Sequence, residues 1–581
     1  MNRILCLALA GMTLALPRIQ AQDRTVKLKV IETTDVHGSF FPYDFITRKD
    51  VGGSLARVHT YVQQQREVYK NDVILLDNGD ILQGQPSAYY YNYMDTTSVH
   101  LTSDILNFMG YNAGNFGNHD VETGNAVFER WVKDCAFPVL GANIIDTRTG
   151  QPHFKPYEII VRDGVKVAVL GMITPAIPVW LSENLWQGLR FDDMEQTARK
   201  WIPLIQAQEH PDVIIGLFHS GKNAEWLGNG KFREQASVEV AERVPGFDVV
   251  LMGHDHSREC RMVTNAEGKQ VLVINPANRA THVADVEITC TLHDGKVVDK
   301  KVEGKLVSVA DLEVSPSFMD RFSKQYAEVN NFVSKKIGTF TETISTRPAY
   351  FGPSAFIDLI HTLQLEISGA EISLCAPLSF DAQINSGDIY VSDMFNLYRF
   401  ENMLYTMNLT GREIKDELEM SYGQWINEMK SPSDHLLRIN MPENGNGRVN
   451  FIEPSYNFDS AAGINYTVDV RKPKGQKITI VSMADGTPFD MDKTYRVAVN
   501  SYRGNGGGNL LVEGSGIPQD ELLNRVETST DVDLRYYLMK YIEEHGTITP
   551  RALGQWKLVP EAWATPAAKR DYKLLFGEEM K

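Results

Sequence analysis

Between residues 27 and 290 the chain repeats one pattern, in which a short apolar run ends at a polar loop that contains glycine. Continuous runs of aliphatic and β-branched residues are typical of strands that are buried on both faces. Segments with helical periodicity lie between them, including residues 54–68 and 98–109. This alternation predicts an α/β sandwich. The runs include LKVIETTDVHG, DVILLDNGD, VKVAVLGMIT, DVIIGLFHSG and DVVLMGHDH.

The pattern changes near residue 310. A charged segment with helical periodicity predicts a connecting helix between two domains. An α+β region follows, with helices predicted near 353–368 and 411–425 and strands near 464–470 and 494–500. We therefore expect five parts, which are a signal peptide (1–21), a first domain (22–308), a connecting helix and hinge (309–340), a second domain (341–560) and a charged tail (561–581).

The first residues resemble a secretory signal. They combine one early arginine, an apolar run from Ile4 to Leu16 and a plausible cleavage site ending at Ala21. The alternative is a membrane anchor, but this run is shorter than the ~20 residues that a spanning helix needs. No later segment is long and apolar enough to span a membrane either. We therefore expect an exported protein without a stable membrane span.

Chain length and net charge limit the kinds of molecule that the protein is expected to bind. A chain of 581 residues is too long for one ordinary core. Removal of a signal peptide that carries Arg3 and Arg18 shifts the formal charge from −16 to −18. Such an acidic surface argues against polymeric nucleic acid, while small nucleotides remain compatible if a metal supplies positive charge.

The cysteines leave two alternatives open. An exported chain with four of them could form up to two disulfides in any of three connectivities, or keep them as buried thiols. Their wide spacing shows no zinc motif or nucleophilic site. They are Cys135, Cys260, Cys290 and Cys375.

Residues that can bind metals follow five of the apolar runs. Carboxyl ends of strands are where sites assemble in layered α/β folds, so these five segments can converge on one edge. Carboxylates, imidazoles and one amide oxygen suit a pair of divalent cations, and Asp80 is the candidate bridging ligand. Each piece alone is more typical of a surface turn, but the ordered set predicts a metal centre. The residues are Asp35, His37, Asp80, Asn118, His119, His219, His254 and His256.

The ordered motifs DVHG, GD, GNHD, HSG and GHDH resemble those of the calcineurin-like metallophosphoesterases, and nearly the whole chain resembles the secreted 5′-nucleotidase family. The resemblance implies a four-layer α/β/β/α metallophosphoesterase domain followed by a nucleotide-binding domain. It also implies two divalent metal ions, whether Mn, Zn, Co, Mg or Fe. One ion would be bound by Asp35, His37, Asp80 and His256, and the other by Asp80, Asn118, His219 and His254.

The resemblance further implies two catalytic residues. His119 would stabilise charge in the transition state, oriented by an acidic residue three positions later. The family has Asp at that position and this chain has Glu122, which is one methylene longer.

In the second domain, LYRFEN and NSYRGNGGG match segments whose aromatic residues hold the nucleobase in the family. The resemblance implies that Phe400 and Tyr502 sandwich the base and that Asn402 binds its edge. Stacking of this kind contributes ~1–3 kcal/mol per base. Without the resemblance, both aromatic residues would be interpreted as core residues.

Departures from the 5′-nucleotidase sequence pattern indicate which branch of the family this chain resembles. LCAPLSFDA stands where those enzymes carry an Asn-x-Gly-Gly-x-Arg segment, whereas IETTDVHG, DNGDILQGQPSAYY and YNFDSAAGINYTVDV resemble the periplasmic 2′,3′-cyclic-nucleotide 2′-phosphodiesterase/3′-nucleotidases. This implies hydrolysis of small nucleotides by a metal-activated water, in the periplasm or cell envelope, by a monomer. The alternatives are a 5′-nucleotidase or UDP-sugar hydrolase of the same fold, and a nucleotide-binding protein that has lost catalysis. The last is opposed by the seven ligand positions, which all hold ligating side chains.

Overall fold

The computed structural model describes residues 23–227, 230–442 and 449–580. The predicted signal peptide lies outside the described residues. Among those residues, no helix combines the length and apolar character needed to cross a membrane.

Two six-stranded sheets form the centre of the first domain. The first sheet contains, in spatial order, Lys296–Ser308, His282–His293, Arg24–Thr33, Val73–Asp77, Ala113–Asn115 and Val139–Leu140. The second contains Arg258–Thr264, Gln270–Pro276, Val249–Met252, Val213–His219, Val165–Ile173 and Tyr157–Arg162. Four neighbouring strands in each sheet are parallel, so their carboxyl ends lie at one edge.

The sheets pack face to face through buried aliphatic side chains such as Val30, Leu76, Val169 and Leu251. Helices cover the outer face of each sheet, so central strands such as Val73–Asp77 and Val213–His219 are buried on both sides and their sequences are continuously apolar. Leu55–Tyr69, Leu101–Met109 and Asn125–Asp134 cover the first sheet, and Met194–Glu209 and Ser237–Arg243 cover the second. The predicted α/β/β/α sandwich is confirmed.

The second domain is α+β, as predicted. Its main sheet contains Ser460–Ala462, Ile372–Cys375, Thr494–Asn500, Leu404–Thr410 and Val526–Ser529. Two three-stranded sheets contain Ile478–Met483, Ile464–Asp469 and Trp556–Val559, and Gly387–Tyr390, Lys336–Phe340 and Thr547–Ile548. The longer helices are Ala355–Ser368, Gly411–Trp425 and Leu534–His545.

The connection differs from the single helix that was predicted over 309–340. It contains two helices, Pro316–Arg321 and Ser323–Val333, and the backbone between them leaves helical geometry at Phe322 (φ −108°, ψ 16°). Phe318 and Phe322 are both buried in the core of the first domain. The chain then enters the second domain as the strand Lys336–Phe340.

The segment set apart as a tail is part of the second domain. Glu561–Phe576 is a helix whose Ala564, Ala567 and Leu575 are buried in that domain's core. The fully buried carboxylate of Asp571 accepts backbone N–H groups of Leu436 and Leu437 at 2.7 and 2.9 Å. The interpretation as a tail was wrong because the helix has charged residues on its exposed face and only a narrow stripe of buried apolar residues, which is hard to recognise in the sequence.

The four predicted mature cysteines are free thiols in this structure. Cys260 and Cys290 lie in strands of different sheets, and Cys375 lies in the second domain. The structure therefore agrees with free thiols, but only Cys290 and Cys375 are buried, while Cys135 is half-buried and Cys260 is exposed.

We expect Asp571→Ala to lower the free energy of unfolding by about 2–4 kcal/mol, because two buried backbone donors would lose their acceptor. Urea denaturation followed by circular dichroism measures this change. Glu561→Ala on the same helix is the control, because the Glu561 side chain is 70% exposed. Equal effects of the two substitutions would contradict a structural role for the Asp571 contacts.

Candidate metal centre and substrate pocket

The predicted metal ligands converge at the shared edge of the two sheets. Asp35, His37, Asp80 and His256 each offer one ligand atom within 4.8 Å of the others, and so do Asp80, His219 and His254. Asp80 belongs to both groups. Asn118 adjoins the second group, with its Oδ1 2.8 Å from His254 Nδ1. The structure thus brings together all seven residues in two sets that share one carboxylate.

The hydrogen bonds of His219 test whether a cation fits. Its Nδ1 lies 2.6 Å from the carbonyl oxygen of Asn78, so Nδ1 must carry the proton that it donates there. In the neutral ring, Nε2 then holds a lone pair, and this atom is 3.1 Å from Asp80 Oδ2. Two facing lone pairs repel each other unless a proton or a metal ion lies between them. The donor set therefore fits a divalent cation.

The remaining distances show the same crowding of ligand atoms. Asp35 Oδ1 lies 3.2 Å from His256 Nε2, and His37 Nε2 lies 3.0 Å from the same nitrogen. The orientation of the His37 ring is fixed by a contact on its other nitrogen, since Nδ1 lies 3.1 Å from Gln83 Oε1. The imidazole nitrogens and carboxylate oxygens of this group face one common space.

The backbone at the site is strained. Five of the seven predicted ligands have φ between 49° and 74°, a region that costs a non-glycine residue about 1–2 kcal/mol. They are Asp35, His37, Asp80, His254 and His256. Each lies on the sharp turn that directly follows a strand. The fold therefore maintains an unfavourable backbone conformation where it aims ligand atoms inward.

Two glycines allow the loops to approach this closely. A Cβ atom on Gly117 would lie 2.1 Å from Asp80 Oδ1, and one on Gly253 would lie 2.2 Å from Thr34 Oγ1 and 2.8 Å from Asp35 Oδ2. Any larger residue would displace a predicted ligand. The glycines in GNHD and GHDH are therefore required by contact with neighbouring loops.

Charges within the site shift several pKa values. Burial raises the pKa of Asp35, but the charges of His219 and His256 outweigh it and lower the pKa to about 2. Burial lowers the pKa of His219, but Asp80 and Asp35 raise it to about 10. Burial also lowers the pKa of His37 to about 3. Asp35 and His37 are thus already in the forms that bind metals, and His219 would exchange its proton for a cation.

Asp120 holds the loops together and does not face the ligand space. Its carboxylate accepts backbone N–H groups of Gly117 and Asp80, each at 2.8 Å, and of Ile81 and Leu82, each at 2.9 Å. It therefore joins the loop that carries Asp80 to the loop that carries Asn118.

The predicted pairing of His119 with Glu122 is present in the geometry. His119 Nδ1 lies 2.5 Å from Glu122 Oε2, so the longer glutamate side chain reaches the imidazole. The backbone N–H of His119 donates to Asp80 Oδ1 at 2.8 Å. Burial lowers the pKa of His119, but the carboxylates of Glu122 and Asp80 raise it to about 9. An imidazolium bonded through Nδ1 keeps Nε2–H available as a donor.

One pocket joins the two domains. Asn118, His119 and Glu122 line one side, and Phe400, Asn402 and Tyr502 line the other. The structure thus brings the predicted base site to the predicted phosphate site.

Two further aromatic residues line this pocket, and the sequence analysis missed both. The ring of Tyr456 lies 6.3 Å from that of Phe400 and 6.2 Å from that of Tyr502, nearly perpendicular to each. Trp180, from the first domain, lies 5.6 Å from the His254 ring. Tyr456 is the first residue of YNFDSAAGINYTVDV, but nothing in its spacing distinguishes it from a core residue.

Glu234 was also missed. Its Oε1 lies 2.8 Å from His254 Nε2, while His254 Nδ1 faces Asn118. A carboxylate behind an imidazole fixes the ring orientation and tautomer, as it does around bound metals. Glu234 lies on the short strand Phe232–Gln235, outside every metal motif, so no sequence signal marks it.

Comparison with known proteins defines the class. Residues 28–258 match the calcineurin-like phosphoesterase family, and residues 336–513 match the 5′-nucleotidase C-terminal domain. The chain is therefore a two-domain hydrolase that joins a calcineurin-like phosphoesterase domain to a 5′-nucleotidase C-terminal domain. Phosphoesterases of this class bind divalent metals, in agreement with the cluster of Asp and His residues.

Individual relatives extend over most of the chain. The trifunctional nucleotide phosphoesterase protein YfkN of Bacillus subtilis is 28% identical over 95% of this chain, which spans only 40% of that protein. A 2′,3′-cyclic-nucleotide 2′-phosphodiesterase/3′-nucleotidase of Yersinia enterocolitica is 25% identical, with 96% of this chain and 92% of the relative covered. A Staphylococcus aureus structure, assigned provisionally as a 5′-nucleotidase, has a TM-score of 0.75 at 23% identity, with 92% and 99% covered.

We expect Asp120→Asn to destabilise the protein by about 2–4 kcal/mol, because an amide turns two donor hydrogens toward backbone N–H groups. Thermal and urea denaturation measure the loss. Asp134→Asn is the matched control, because Asp134 accepts a single backbone N–H, that of His100, through its side chain. A smaller effect at Asp120 than at Asp134 would contradict the role assigned to Asp120 in joining the loops.

Proposed function

We propose that the chain is an exported hydrolase that opens 2′,3′-cyclic nucleotides to 3′-nucleotides and then releases phosphate to give nucleosides. The observation that supports this proposal is a pocket lined by Asn118 and His119 of the first domain and by the aromatic rings of Phe400, Tyr456 and Tyr502 of the second. The name of the Yersinia relative supports the same substrate class.

Two divalent ions would be held by the seven clustered residues, of which Asp80 is common to both sets, and would supply Lewis acidity and lower the pKa of water at neutral pH. His119 would donate through Nε2 to a phosphoryl oxygen, because Glu122 holds its Nδ1. Phe400, Tyr502 and Tyr456 would hold the base, and the buried Asn402 would bind its edge.

The composition of the pocket favours a substrate with little negative charge. Among the described residues that line it, none is lysine or arginine. Leu378, from LCAPLSFDA, lines the pocket, whereas 5′-nucleotidases are expected to carry an arginine in the corresponding segment. A cyclic phosphodiester carries one negative charge and is strained, so the metals and His119 would suffice for it.

Product analysis tests the proposal. The purified protein is incubated with Mn²⁺ and, separately, with 2′,3′-cyclic AMP, 3′-AMP, 5′-AMP and a UDP-sugar, and the products are separated by chromatography. We expect the cyclic ester to pass through 3′-AMP to adenosine, while 5′-AMP remains nearly intact. Preferential cleavage of 5′-AMP or the UDP-sugar would favour the 5′-nucleotidase alternative. Asp80→Asn should reduce every activity to background, which excludes a contaminating enzyme.

We expect Tyr502→Ala to raise KM for nucleotides roughly fivefold to hundredfold, in line with the loss of one stacking partner. Hydrolysis of bis(p-nitrophenyl) phosphate should stay near the wild-type rate, because that ester needs no base site. Tyr541→Ala, at a half-buried tyrosine outside the pocket, is the control. Equal losses on both substrates would show that Tyr502 does not hold the base.

A further inference from the structure

A tyrosine-rich helical segment lies between the metal loops and the second domain. The loop that carries Asp80 leads into the helix Pro86–Tyr89 and the following turn Tyr90–Met94. Tyr89 Oη lies 3.1 Å from Asp533 Oδ2, and Tyr93 Oη lies 3.2 Å from Glu401 Oε2. Both acceptors belong to the second domain. These hydrogen bonds therefore cross the domain boundary from the segment that follows the Asp80 loop.

The acceptors are organised around Arg535, which is 1% exposed. Its Nε and one terminal nitrogen donate to the carbonyl oxygens of Tyr398 and Arg399 at 3.0 and 2.7 Å. Its guanidinium lies 4.1 Å from the centre of the Phe395 ring and 5.0 Å from that of Tyr89. Arg535 thus joins the Tyr89 contact to the loop that continues into Phe400 and Asn402.

Glu401 occupies the central position in this loop. It lies between Phe400 and Asn402 in the sequence, is buried, and approaches Arg535 at 3.6 Å. Burial raises the pKa of Glu401 to about 8 against the opposing charge of Arg535, and the charges of Glu122 and Asp533 add to the rise. The loop that carries Phe400 and Asn402 is therefore joined through Glu401 to Tyr93 of the first domain and to Arg535 of the second.

From this geometry we propose that Tyr89, Tyr93, Glu401, Asp533 and Arg535, here named the interdomain clamp, set the distance between the base site and the metal cluster. The clamp would thereby select substrates by the separation between base and scissile phosphoryl group. Its members are positioning residues, because none of them lines the substrate pocket. This inference rests on the proposed nucleotide hydrolase function and specifies how the same site discriminates between phosphate positions.

Tyr93→Phe tests the clamp, because it removes one hydroxyl and keeps the ring. We expect kcat/KM for 2′,3′-cyclic AMP and 3′-AMP to fall roughly fivefold to twentyfold, as for loss of one hydrogen bond to a carboxyl group. The preference for 3′-AMP over 5′-AMP should decrease, while bis(p-nitrophenyl) phosphate hydrolysis should stay near the wild-type rate. Thermal denaturation confirms that the variant is folded.

Tyr91→Phe is the matched control. Tyr91 lies in the same turn, and its Oη donates to Glu328 at 2.7 Å, in the connecting helix rather than the second domain. We expect this variant to behave as wild type on all substrates. Glu401→Gln should retain most nucleotide activity, since its amide oxygen can accept from Tyr93, whereas Glu401→Ala should lose it.

Three results would overturn the clamp. One is a loss in Tyr93→Phe that is equal for nucleotides and the aryl diester, another is no loss at all, and the third is the same selective loss in Tyr91→Phe. The wild-type product pattern separates these from failure of the proposed function. A wild-type protein that prefers 5′-AMP would overturn that function, but the clamp would still predict a nucleotide-selective loss in Tyr93→Phe.

Discussion

Two buried asparagines hold the carboxyl ends of the two sheets together, and the metal-ligand cluster depends on that contact. Asn115 Nδ2 lies 2.8 Å from the carbonyl oxygen of Met172 and 3.0 Å from that of Leu217, both in the opposite sheet. Asn78 Nδ2 reaches the carbonyl oxygen of Phe218 at 3.1 Å. Aliphatic packing between sheets is nearly non-directional, so sliding would cost little without such bonds. These bonds fix the register that brings the ligands from both sheets into one space.

The same edge concentrates buried negative charge, which the protein stabilises in three ways. Burial raises the pKa of Asp77 to about 8 and raises that of Glu32 well above its usual value, which stabilises the neutral forms of both carboxyl groups. Asp120 is surrounded by backbone donors. Asp35 and Asp80 face imidazoles instead. They are therefore the carboxylates whose negative charge a bound cation would neutralise. Because the surrounding carboxyl groups are stabilised in other ways, a bound cation is favoured next to Asp35 and Asp80.

These features explain which parts were predictable from sequence. The ligands follow strands directly, so local pattern and chain order were enough to find Asp80 or His219. Glu234, Tyr456 and Arg535 act through tertiary contacts with residues far away in the chain, and nothing in their local sequence marks that. The connection and the final helix were predicted incorrectly for a related reason. Their apolar faces pack against core residues from distant parts of the chain, and these contacts cannot be identified from the local sequence.

The two domains divide the requirements of the proposed nucleotide site between them. The first domain supplies strained loops that fix the predicted metal ligands. The second supplies the aromatic side chains of the pocket, whose position depends on buried contacts between the domains. The neighbouring cavity is lined by Glu225, Glu234, Glu453 and Glu513, and its described lining includes no lysine or arginine. Any further phosphate on a bound nucleotide that entered this cavity would meet carboxylates of like charge, at a substantial electrostatic cost. The charge distribution of this cavity therefore opposes the binding of a further phosphoryl group there.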